Sequence, residues 1–108
     1  MLTEQVHKEA LNEAKSATER YLSEYGDGFP CGFAKVTAYV NGNTKIGKSF
    51  KACGFKKNCG GGGWMFWNPS LHATQNVDAK LAGAKAYVKV IRKHLGDDFP
   101  IYESSMLD

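Results

Sequence analysis

The chain has 108 residues, of which 43% are hydrophobic and 23% charged, with a formal net charge of +3. That length suits one domain rather than two. The apolar fraction excludes wholesale disorder, and no apolar run approaches the roughly 18 residues needed to cross a bilayer. The stretch from Met1 to Tyr25 is polar and rich in Glu, unlike a signal peptide. Cys31, Cys53 and Cys59 form an odd set without a C-x-x-C pair. Three free thiols in a reducing, cytoplasmic setting are the expectation.

From Glu4 to Tyr25 there is no Gly or Pro, and Val6, Ala10, Ala14, Ala17 and Tyr21 recur at spacings of three and four. This predicts an amphipathic helix capped by Thr3 and ended by Gly26. Phe33 to Val40 alternates, with Ala34, Val36, Ala38 and Val40 on one face and Lys35 and Thr37 on the other, so it reads as a strand with one face in the core. Lys45 to Cys53 predicts a short helix, weakened by Gly47. Cys59 to Gly63 is a glycine-rich loop. Trp64 to Trp67 reads as a short strand, buried on both faces or packed against a helix.

Ser70 to Asn76 is polar and turn-like. Val77 to Leu95 carries the clearest helical stripe, through Val77, Leu81, Ala84, Val88, Ile91 and Leu95, and Gly96 stops it. Pro100 to Ser104 is β-prone and precedes a frayed tail at Asp108. The sum is a single α+β domain over residues 1–108: a small three-stranded sheet, antiparallel or mixed, covered by two long helices and accompanied by one short extra helix.

Several patterns bear on chemistry. Gly42 to Ser49 fits the phosphate-loop template G-x-x-x-x-G-K-[ST], with Gly42, Gly47, Lys48 and Ser49 at its defining positions. Against it, the following segment is short and no later strand offers an Asp for Mg²⁺. Cys53, Cys59 and His72 have the wrong spacing for a zinc site, so no metal and no cofactor is expected. No nucleophile, base and acid stand in a recognisable arrangement, which favours a non-catalytic protein. Lys48, Lys51, Lys56 and Lys57 flank Trp64, Phe66 and Trp67 across the glycine run. Cations beside exposed aromatics hold bases and phosphates. Alternation places Met65 and Trp67 opposite Phe66, so if Phe66 is core at least one indole reaches the surface. Trp64, Trp67, Lys56 and Lys57 are therefore the candidate binding residues, with Gln75 as a polar contact.

The runs Cys31-Gly32-Phe33-Ala34-Lys35-Val36 and Gly54-Phe55-Lys56-Lys57, with Gly62, Gly63 and Trp67, then Gln75, Asp78, Lys80 and Ala82 to Tyr87, and finally Tyr102, Ser104 and Asp108, resemble a family of small bacteriophage-encoded proteins of uncharacterised function. The resemblance implies a viral protein in the cytoplasm of a host cell with an accessory role, and it carries over no catalytic residue. The order of helix, strands and Lys-rich helix also resembles the double-stranded-RNA-binding domain. The last helix departs from that pattern, opening Asn76-Val77-Asp78-Ala79-Lys80 with an acid where phosphate would approach. The expected function is binding of a host protein, or of a nucleotide or nucleic acid, through the glycine loop and its Lys and Trp neighbours.

Overall fold

The computed structural model describes residues 1–28, 30–58 and 61–107. Three helices and four strands follow in the order α1 (Glu4–Tyr25), β1 (Gly32–Ala38), α2 (Lys45–Ala52), β2 (Lys56–Lys57), β3 (Trp64–Trp67), α3 (Val77–Leu95) and β4 (Ile101–Leu107). Cys59 and Gly60 of the glycine run, and Asp108 of the expected tail, lie outside the described residues.

The long helices begin and end where local chemistry dictates. Thr3 accepts from the Val6 N–H at the start of α1, and Asn76 accepts from the Ala79 N–H at the start of α3. Gly26 (φ +81°) and Gly96 (φ +121°) close the two helices in conformations that disfavour a Cβ.

The sheet has four strands, not three, and every pairing is antiparallel, in the order β2-β3-β1-β4. The strand missing from the sequence reading is β2, whose two residues carry no periodicity of their own and exist only by pairing with β3. Strand β4 is also longer than expected. Residues 105–107 extend it in a ladder with Ala34, Phe33 and Gly32. From β1 onward the element order β-α-β-β-α-β, with β3 lying between β1 and β2 and β1 between β3 and β4, is the split βαβ arrangement. It is not the three-stranded meander of a double-stranded-RNA-binding domain, because β1 pairs with β3 and β4 and never with the next strand in sequence.

All three helices lie on one side of the sheet. Ala34, Val36, Ala38 and Ile101 are buried beneath α3, and Phe50 from α2 joins Phe55, Tyr87 and Ile91 in the same core. Helix α1 rests mainly on α3. Gly83 makes that approach possible: a Cβ there would stand 2.6 Å from the Thr18 hydroxyl and 3.0 Å from the Ala14 carbonyl oxygen. At the same contact the Thr18 hydroxyl donates to the Ala79 carbonyl at 2.7 Å. No described helix is long and apolar enough to cross a membrane.

Candidate functional site

No helix covers the opposite face of the sheet, although Thr37 near its middle is buried. Antiparallel pairing puts opposed residues on a common side, so Phe33, Lys35 and Thr37 of β1 share this face with Met65 and Trp67 of β3, Lys56 of β2, and Tyr102, Ser104 and Met106 of β4. None of these nine residues is acidic. Large apolar side chains stand out into solvent here: Phe33 is 44% exposed, Trp67 43% and Tyr102 52%. Trp64 to Trp67 is thus covered on one face only, unlike the strand buried on both faces that its composition allows.

Each of these three rings has a cation against it. Lys35 Nζ lies 5.3 Å from the Trp67 ring centroid, Lys80 Nζ 5.3 Å from Phe33, and the Arg92 guanidinium carbon 5.0 Å from Tyr102. The cations are themselves anchored. Lys35 Nζ donates to Asn58 Oδ1 at 2.9 Å, Lys80 Nζ to the Gly32 carbonyl at 2.9 Å, and Arg92 Nη2 to the Ile101 carbonyl at 2.7 Å. Phe33 and Trp67 meet edge to face with centroids 6.3 Å apart, so the two central strands present adjoining rings.

The residues singled out from sequence divide between the two faces. Trp67 and Lys56 belong to the open face. Trp64 and Lys57, opposed in the β2–β3 ladder, point to the helix side. There the Trp64 indole is half-buried against the core, with Gly42 beneath its ring and Lys51 Nζ 4.8 Å above it. Gln75 lies at the far end of β1, where its carbonyl accepts from the Gly32 N–H. The five residues therefore do not form one surface. The described part of the glycine loop is organised by Asn58, whose N–H donates to the Gly63 carbonyl at 3.0 Å and whose amide donates to the Gly62 carbonyl at 2.9 Å.

The phosphate-loop match has a different local structure from its template. Helix α2 begins at Lys45, so Gly47, Lys48 and Ser49 lie inside the helix rather than in a loop before it. The Gly47 N–H already donates to Thr44 Oγ1, and the Lys48 N–H to the Thr44 carbonyl. Ser49 Oγ donates to the Ile46 carbonyl and accepts from the Leu2 N–H. The groups that would cradle a phosphate are spent on capping and packing. Gly47 is required because a Cβ would overlap the Asn41 carbonyl.

A depression of about 580 Å³ beside the start of α1 is lined by residues that include Leu2, His7, Ser49 and Cys53. It brings a thiol and an imidazole to one place, yet burial pushes the Cys53 thiol up and the His7 imidazole down, which favours the uncharged form of both. His7 Nδ1 is engaged by the Tyr87 hydroxyl at 2.6 Å, and burial drives that phenol well above its ordinary range. These are properties of a packed polar pair, not of an activated nucleophile. Among the described residues, no group of three or more His, Cys, Asp or Glu is placed to hold a metal ion.

Sequence reasoning passed over Phe33, Tyr102, Lys35, Lys80, Arg92 and Asn58. A signal for the first was available: in β1 the residues alternating with Ala34 and Val36 include an aromatic, where a merely solvated face would be polar. Lys80, Arg92 and Asn58 are brought to the site by tertiary packing and had no local mark.

In comparisons with known proteins, no family model, no curated protein and no solved structure matches the chain.

Proposed function

We propose that this protein is a non-catalytic binding module that receives a short single-stranded stretch of nucleic acid on the open face of its sheet. The observation that carries this reading is the set of exposed rings Phe33, Trp67 and Tyr102, each beside a cation, on a face whose strand residues include no carboxylate. Base–aromatic stacking is sequence-tolerant and contributes about 1–3 kcal/mol per base, and neighbouring cations hold the backbone. From Phe33 to Tyr39 the face runs about 20 Å along β1, and β3, β1 and β4 span about 10 Å across it. That area suits two or three unstacked bases. The accessory role implied by the phage resemblance belongs to the same proposal, with the strand encountered in an infected cell.

The test is fluorescence anisotropy with a labelled oligothymidylate of about ten nucleotides. Binding is expected to tighten as salt is lowered, through release of phosphate counterions. Joint replacement Trp67→Ala and Tyr102→Ala is expected to weaken it at least tenfold in a protein that remains folded. No binding at low salt, or binding indifferent to the double replacement, would refute the reading. A preference for rigid duplex over single strand would also count against it, because paired bases cannot stack on the rings.

A further inference from the structure

At the Gly32 end of the open face a groove of about 540 Å³ is lined by Phe33, Trp67 and Met106 with Asn68 and Lys80. Its walls are almost wholly apolar, and its charged donor is the Lys80 ammonium. The Asn68 amide donates one N–H to the His72 carbonyl and accepts from the Ser70 hydroxyl.

Lys80 is an unusual lining residue. It is only 7% exposed, and Nζ has a single hydrogen-bond acceptor, the Gly32 carbonyl. An ammonium has three N–H donors, so two remain. Among the described residues no carboxylate lies within 4.0 Å of it. Nζ thus keeps two donors for an acceptor that enters the groove. The Phe33 ring beside it screens the charge but cannot accept all of its hydrogen bonds.

We propose that this groove is a nucleoside phosphomonoester subsite, with the base against Trp67 and Phe33 and the phosphate on Lys80 Nζ. The inference rests on the nucleic-acid reading and sharpens it. It marks one end of the open face as the place where a terminal phosphate is seated. A base supplies a flat surface matching the edge-to-face rings, and a phosphate supplies the acceptor oxygens that the ammonium lacks. A free mononucleotide and the phosphorylated end of a strand share this chemistry.

The experiment compares four probes by quenching of Trp67 fluorescence in a Trp64→Phe background: thymidine, thymidine 5′-monophosphate, and a pentathymidylate with and without a 5′-phosphate. The phosphorylated pentamer is expected to bind about tenfold more tightly than the unphosphorylated one. Lys80→Met should erase that difference, so that the two pentamers bind alike, weakening the phosphorylated pentamer about tenfold more than the unphosphorylated one. If the mononucleotide quenches and the phosphorylated pentamer has no advantage, the site serves free nucleotides. If neither pentamer binds, the nucleic-acid reading itself fails. If both bind equally and the mononucleotide does not, the phosphate subsite is refuted and the nucleic-acid reading stands.

Should Lys80→Met not fold, the ¹⁵Nζ resonance of Lys80 in the unaltered protein decides the matter. It is expected to shift with thymidine 5′-monophosphate and not with thymidine. An equal response to both overturns the assignment.

Discussion

On the helix side of β1 stand Gly32, Ala34, Val36 and Ala38, and on the open side Phe33, Lys35 and Thr37, followed past the strand end by Tyr39. The small residues lie where α3 presses closest. The large ones lie where nothing covers them. This is the reverse of what bulk hydrophobicity alone would arrange, since Phe33 and Trp67 are larger than anything β1 contributes to the core. The covered face is small because helix and sheet must approach closely, and its missing volume is supplied by Phe50, Phe55, Tyr87 and Ile91. The open face retains rings at a cost in solvent-exposed apolar surface that packing does not repay. Exposed apolar clusters of this kind mark interaction sites.

Replacements should affect the two faces differently, and the largest contrast is in stability. Phe50→Ala removes a fully buried ring that stacks on Phe99 and meets Phe55 edge-on. It is expected to cost about 3–5 kcal/mol in urea unfolding. Tyr39→Ala, on the open side, should change stability by less than about 1 kcal/mol. Comparable losses for the two would mean that the open face is covered in solution.

A smaller effect is expected within the helical layer. Gly83→Ala improves helix propensity by about 1 kcal/mol, yet the new methyl would press on Thr18, Ser70 and the Ala14 carbonyl. A net destabilisation of about 1–3 kcal/mol should follow, seen as a lower thermal midpoint. A rise in the midpoint would show that α1 does not lie so close to α3.

The buried His7–Tyr87 pair sharpens the comparison through pH. Burial holds the His7 imidazole below its ordinary value of 6.5, with Glu4 opposing more weakly. The unfolded chain therefore takes up the proton first. Stability on this account is complete above about pH 7 and falls as the pH drops through 6.5 toward the folded-state value. Replacing both partners, as His7→Phe with Tyr87→Phe, should flatten that part of the profile, read as urea-unfolding stability between pH 7.5 and 5.5. An unaltered slope would assign the acid sensitivity elsewhere.

The smallest expected effect separates two adjacent lysines. Lys56→Ala, on the open face, should lower the slope of log affinity against log salt by about one, while Lys57→Ala, on the other side, should leave it unchanged. Salt titrations of oligothymidylate binding distinguish the two.

The helices were largely legible because their signals are local: an uninterrupted stripe, a Thr at the start of α1, a Gly after each long helix. The alternation of β1 was equally plain, and the same alternation within Trp64 to Trp67 put Trp67 opposite Phe66. Strand β2 and the end of β4 were not legible, since two lysines and a Ser-Met-Leu run acquire strand geometry only from the partners they pair with. The phosphate-loop template misled because the same letters fit a helix capped by Thr44, where a glycine is needed for close packing. The candidate site was half visible. Trp67 and Lys56 fall on the open face, but Trp64 and Lys57 were grouped with them although odd and even positions of a strand diverge.

The order of residues by itself determined which side chains share a face, because strand and helix periods are built into the backbone. Which face would be left uncovered was decided only by the tertiary structure. The strand order brings β4 and β3 to either side of β1, α3 then shields one side, and Lys80 and Arg92, distant in sequence, arrive at the exposed rings by that packing alone.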